Sequence, residues 1–267
     1  MYREETKDLK SRKVGLEVDF AAYISNQQNS AVSFTNYNYI AKTSQQILFE
    51  RLNDIMFTPE STPVNILNLG SKVGELTKEL CQKFPKSNIY ELELTDEMLK
   101  VSKELANKTN THNLNYVKSD FEKLPFVTAG FDLILSNQAL HCFDFASVMQ
   151  EIYRVLSNNG IFLFSALGPD SFKQLRHAWG LVDNFAHIYD FCDMHIFGDI
   201  LKKTGFIDPV MDCHWVEFQY KSLQQIFLDL KGMGEQYIDI RRRKSLTGKN
   251  KFLELERVYE RNSNKRY

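Results

Sequence analysis

Three points along this chain carry residue types that together suit a ribonucleoside. Gly70 and Gly74 bracket Ser71-Lys72-Val73 directly after the apolar run at 64–69. Glycine tolerates the positive φ angles of such a turn and lets a ligand approach the backbone. Glu93 closes a second apolar-rich run, where a carboxylate can accept protons from both hydroxyls of a ribose. Asp120 closes a third beside Phe121, placing an acceptor for an amino group next to a ring that can cover a base. The dinucleotide spacing G-x-G-x-x-G would need glycine at 72 and 75, where Lys72 and Glu75 stand. The G-x-G-x-G spacing keeps Gly70 and Gly74 and loses only the middle glycine. The three positions in order therefore point to an adenosine site.

Further polar groups come later in the chain. His141 and Cys142 follow the fourth strand-like run. Arg176 in Phe172-Lys-Gln-Leu-Arg176 has a planar guanidinium able to grip a carboxylate by two parallel hydrogen bonds, unless it is simply an exposed helix arginine. His195 offers a donor from the same region, or else serves as a satisfied structural histidine. No second pair at ligand spacing accompanies these, so a metal site is not expected. Cys81, Cys142, Cys192 and Cys213 show no Cys-x-x-Cys spacing and read as reduced thiols. Arg241-Arg-Arg-Lys244, with Lys249 and Lys251, forms a local basic cluster that can receive an acidic partner or remain a solvated face.

The elements that must position these groups follow from periodicity. Apolar residues at Ile40, Ile47, Leu48, Leu52 and Ile55 predict a helix from Tyr37 to about Met56. Strands are expected at 64–69, 88–93, 114–118, 131–136 and 161–165, the last after an Asn158-Asn-Gly turn, with helices at 74–84, about 95–107 and 145–156 between them. Such alternation implies an α/β fold, a doubly wound and mostly parallel Rossmann-like sheet. Residues 170–204 read as a helical cap inserted after the fifth strand. A sixth strand is expected within 206–220, and helices at 222–232 and 249–261. Residues 1–36, charged and then rich in Asn, Gln and Ser, read as a loosely held tail or a lid; 37–267 form the main domain.

Hydrophobic residues make up 43% of the 267, enough for a sizeable core. With 33 basic and 34 acidic residues the formal charge is −1, which gives no global field for nucleic acid or an anionic membrane. No apolar run is long enough to span a bilayer, and the charged start lacks a signal-peptide core, so a cytoplasmic setting is expected. Oligomeric state is not legible.

Leu67-Asn-Leu-Gly70, Asp96-Glu-Met-Leu99, Asp120-Phe-Glu-Lys-Leu-Pro-Phe126, Phe131-Asp-Leu-Ile-Leu-Ser-Asn-Gln-Ala-Leu-His141 and Glu151-Ile-Tyr-Arg-Val-Leu156 together resemble the class I S-adenosylmethionine-dependent methyltransferases. Phe164-Ser-Ala-Leu-Gly-Pro169, Asp193-Met-His195 with Gly198-Asp199, Gly205-Phe-Ile-Asp-Pro-Val-Met-Asp212 and Leu246-Thr-Gly-Lys249 narrow the resemblance to the malonyl-acyl-carrier-protein O-methyltransferases of biotin synthesis. The resemblance spans roughly residues 30–260 and implies methyl transfer to the free carboxylate of a malonyl thioester on acyl carrier protein. It implies S-adenosylmethionine held by Gly70, Ser71, Gly74, Glu93, Leu94, Met98, Asp120, Phe121 and Asn137, with Arg176 and His195 toward substrate. Asn68, Lys72 and Val73 depart from the family loop and are expected to weaken the cofactor site, and the lack of a convincing strand after Tyr220 to fill the place between the fifth and sixth is expected to cost stability. These departures favour a second expectation, a protein of this fold that has lost catalysis and serves as a binding or assembly factor.

Overall fold

The structure, a computed structural model, describes residues 18–58, 60–108, 113–240, 242, 245 and 247–263. Five parallel strands form one sheet in the order β3-β2-β1-β4-β5: β1 (Asn65–Leu69), β2 (Asn88–Glu93), β3 (Leu114–Lys118), β4 (Phe131–Asn137) and β5 (Leu156–Ser165). The central strand explains the layering. Side chains alternate across a strand, so Ile66 joins a core with Leu48 and Leu52 of α3 (Tyr39–Asp54) and with Leu76 and Leu80 of α4 (Glu75–Lys83). Leu67 and Leu69 face the other way, toward Val148, Met149 and Ile152 of α6 (Phe145–Val155). Burial at 145, 148, 149, 152 and 155 follows one helical face, and Asp144 caps the start by accepting from the Ser147 amide at 3.3 Å. α5 (Asp96–Lys108) packs on β2 and β3. The order reverses between β1 and β4, which opens a crevice at their carboxyl ends, where the functional residues gather.

The remaining helices are α1 (Phe20–Ser30), α2 (Phe34–Tyr37), α7 (Lys173–Gly180), α8 (Met194–Thr204), α9 (Leu223–Gly232) and α10 (Lys249–Ser263). Leu175, Ala178 and Trp179 of α7 share a core with Leu223 and Ile226 of α9 and Leu255 of α10, which builds a helical roof over the crevice.

Four expectations need correction. From Phe20 the N-terminal segment is not a loose tail: Tyr23, Gln27 and Ser30 recur at helical spacing, and all three are buried. β5 begins directly after α6 at Leu156. The Asn158-Asn-Gly residues bulge out of it, since pairing steps from Phe131↔Leu156 to Leu133↔Ile161, with Asn159 at φ +65°. The expected cap at 170–204 divides: α8 leaves the roof and lies along α6, with Phe197 4.6 Å from the Phe145 ring. Residues 206–220 form no strand, and Ile207, Val210 and Trp215 are exposed. A strand there needs a neighbour for its ladder, and among the described residues none lies beyond β5.

Candidate active site

The glycine loop is shaped by three left-handed residues, Gly70 (φ +73°), Lys72 (φ +54°) and Gly74 (φ +80°). A Cβ at Gly70 would lie 2.2 Å from the Ala139 Cβ, and one at Gly74 would lie 2.2 Å from the Ser102 hydroxyl, so both positions require glycine for space as well as for φ. Val73 is not left-handed; it is buried with Met98 and Phe34. The strain expected of a β-branched residue falls instead on Lys72, an unbranched one. Beneath the loop, the Asn68 amide donates to the Thr77 hydroxyl at 2.9 Å, a neutral tie between β1 and α4.

Between this loop and the roof lies a cavity of about 260 Å³. Its roof end is apolar, lined by Phe172, Leu175, Trp179, Phe227 and Leu230. Its sheet end is polar and carries Ser71, Lys72, Asn137, His141 and Glu235. Asn137 is held by donating to the Ala41 carbonyl at 2.9 Å and accepting from Ser44 and Ser165, both at 2.7 Å. The Ser71 hydroxyl is buried and has no partner.

Glu235 organises the polar end. One carboxylate oxygen lies 2.9 Å from His141 Nε2 and the other 3.4 Å from Lys72 Nζ. Burial would raise its pKa, but His141 and Lys72 outweigh that and bring it down to about 2. Burial likewise pulls the His141 imidazole down, and Cys142 and Glu235 outweigh it, leaving the ring well above its ordinary value. Lys72 Nζ also donates to Gln27 Oε1 at 2.8 Å and stands 5.9 Å from the centre of the Tyr23 ring, so α1 closes this end. The Gln27 amide is fixed in turn on the Gly234 carbonyl at 3.1 Å.

Residues 67–164 match the family model described as a methyltransferase domain. A malonyl-(acyl-carrier protein) O-methyltransferase of Legionella pneumophila is 36% identical over 84% of this chain and 78% of its own length. The chain belongs to the malonyl-(acyl-carrier protein) O-methyltransferase family. A member from Coxiella burnetii is 30% identical over 93% of this chain and 83% of its own. The fold of the solved Haemonchus contortus phosphoethanolamine N-methyltransferase 2 superposes with a TM-score of 0.50 at 20% identity, covering 83% of this chain and 48% of that one.

Against that family pattern, the structure brings Gly70, Ser71 and Asn137 to the cavity wall. Gly74, Glu93, Leu94, Met98, Asp120 and Phe121 do not reach it. Glu93 lies just behind the loop, accepting from the backbone N–H of Lys72 and, at 3.0 Å, from that of Leu94; burial raises its pKa against the pull of Lys72. Leu94 and Phe121 share a core with Tyr23 of α1, Met98 packs under Val73, and Asp120 is exposed with its carboxylate on the Glu122 amide at 2.9 Å. α1 thus lies over the tips of β2 and β3, the half of the crevice expected to take adenosine. The loop itself leaves room for S-adenosylmethionine, since Gly70 presents bare backbone at the cavity wall.

Both expected substrate residues lie elsewhere. Arg176 spends its guanidinium on the carbonyls of Pro169 (3.0 Å), Ser171 (3.3 Å) and Tyr189 (2.9 Å), and it stitches the roof's backbone together. His195 is exposed at the start of α8, where Asp193 caps its amide at 2.8 Å. Of the basic cluster, Arg241, Arg243 and Lys244 fall outside the described residues; Arg242 pairs with Asp19 at 2.8 Å, and Lys251 with Asp183 at 3.1 Å. Sequence reading missed Tyr23, Gln27 and Glu235. The one local signal was Gly232-Met-Gly-Glu235, whose Gly234 sits at φ +78° and turns the chain back toward the cavity.

Proposed function

We propose that this chain transfers a methyl group from S-adenosylmethionine to the free carboxylate of malonyl-acyl carrier protein, an early step in biotin synthesis. The observation that carries the reading is the cavity with one polar end against the glycine loop and one apolar end under the roof. Gly70, Ser71 and Asn137 would hold the cofactor from the loop side. When bound, the cofactor supplies an electrophilic methyl group on a sulfonium. The protein's part is placement. A carboxylate is ionised at neutral pH and already nucleophilic, so no side chain has to remove a proton, and alignment supplies most of the acceleration. α1, α7 and α9 exclude water from the carboxylate, which strengthens every charge interaction around it. The apolar end suits the thioester arm of a carrier-bound substrate. The partner we propose is acyl carrier protein, received near Arg242, Lys249 and Lys251, in the cytoplasm. Among the described residues no helix is long and apolar enough to cross a membrane.

The test is incubation of the purified chain with S-adenosylmethionine and malonyl-acyl carrier protein, read by intact mass. One added methyl group, removable by an esterase, is the expected result. Unmodified carrier protein beside an active family member would reject the reading in favour of a binding or assembly role.

A further inference from the structure

Resting on that reading, we propose that His141 and Lys72 form the subsite that receives the substrate carboxylate, with Glu235 as the positioning residue that holds both cations. Among the described residues three basic side chains line the cavity: Lys72, His141 and His187. His187 is committed elsewhere, stacked 3.6 Å from the Trp179 ring centre with Nε2 on Asp183 at 2.8 Å. Arg176 and His195 stand outside the lining. The two remaining cations meet on one anion, Glu235, at 3.4 and 2.9 Å. The groups around His141 are Glu235, Cys142, Tyr23 and Tyr189, with Lys72 beyond Glu235.

His141 and Lys72 turn two basic groups toward one carboxylate, Glu235, on side chains that are only 12–19% exposed. The other carboxylate in the lining, Glu75, is paired with Lys42 at 3.3 Å. A monoanionic carboxylate entering beside Glu235 therefore meets two basic groups where little water competes. Glu93 lies behind the loop and is engaged by backbone donors, so it faces the Lys72 main chain and not the cavity. Holding one oxygen leaves the other free to attack. Once methylated, the substrate carries no charge to pair with, so the subsite distinguishes the acid from its ester and from acyl thioesters that lack a carboxylate.

Calorimetry with the full chain and saturating S-adenosylhomocysteine tests this directly. Malonyl-pantetheine is expected to bind roughly tenfold or more tighter than acetyl-pantetheine. His141→Gln should bring that ratio to within about twofold while leaving the S-adenosylhomocysteine affinity within about threefold. Lys72→Met serves as the second variant if His141→Gln does not fold, which a thermal melt establishes. An unchanged malonyl-to-acetyl ratio in the folded variants overturns the proposal. So does a loss confined to S-adenosylhomocysteine and absent with methylthioadenosine, which lacks an amino-acid carboxylate; the cations would then belong to the cofactor. A malonyl preference in the unsubstituted chain that His141→Gln abolishes, without methyl ester formation on the carrier protein, would retire the methyl-transfer reading and still support the anion subsite.

Discussion

Glu91 lies one pleat before Glu93 on β2 and is buried under the glycine loop, where the Ser102 hydroxyl donates to it at 2.5 Å. Its other oxygen has no partner. Burial outweighs the hydrogen bond from Ser102 and pushes its pKa up to about 7, from an ordinary value of 4.5. In the unfolded chain the proton leaves near 4.5; in the fold it leaves near 7. Between those values the folded state binds more protons, so stability falls as pH rises through the window and levels off above it. The full loss is roughly 3 kcal/mol. Glu91→Gln is therefore expected to melt higher than the wild type near pH 8 and to converge with it near pH 5. Parallel melting curves for the two proteins across that range would contradict the burial argument. Lys72 shows the same lesson from the other side. As a letter in a glycine motif it reads as damage, but its left-handed backbone and its partners Gln27 and Glu235 make it part of the site's wiring.

At the scale of elements, strong periodicity made the sheet legible. The strands expected at 88–93 and 114–118 have the bounds observed, because both are short runs with apolar and aromatic residues bracketed by turn residues. α1 was not legible, since Asn, Gln and Ser dominate its sequence and its buried face includes polar residues. Its hold on the crevice begins at Asp19, whose carboxylate accepts from the Ala22 amide at 3.1 Å and pairs with Arg242. The Asp19 amide donates to the Ile238 carbonyl at 3.0 Å. Because α1 lies over the tips of β2 and β3, the account requires it to lift when adenosine enters. Losing the cap costs about 1 kcal/mol, and the half-exposed ion pair adds little. Asp19→Ala is expected to raise amide exchange across Phe20–Ser30 about fivefold and to speed S-adenosylhomocysteine association. Exchange at the wild-type rate would mean that α1 is fixed by its buried contacts and not by its latch. The sixth strand failed for a different reason: an apolar segment becomes a strand only beside a partner, and β-propensity carries no information about who the partner is.

For the whole molecule, the site is assembled from residues far apart in the chain. Lys72 and Glu235 are 163 positions apart, and Gln27 and Gly234 are 207 apart. No local window joins them, which is why the glycine loop and Asn137 were found in sequence while Glu235 was not. Arg176 has the chemistry of a carboxylate clamp, but both of its terminal nitrogens donate to the roof's own carbonyls. The family, the sheet and the cavity agree on a methyltransferase, and the altered loop and the helix across it are where that agreement is most exposed. Titration of the full chain with S-adenosylhomocysteine by calorimetry therefore decides whether the loop takes the cofactor. One site per chain with an affinity on the order of micromolar, about 8 kcal/mol, is the predicted result. No heat of binding at millimolar ligand would show that Lys72 and α1 have closed the site, and it would contradict the account.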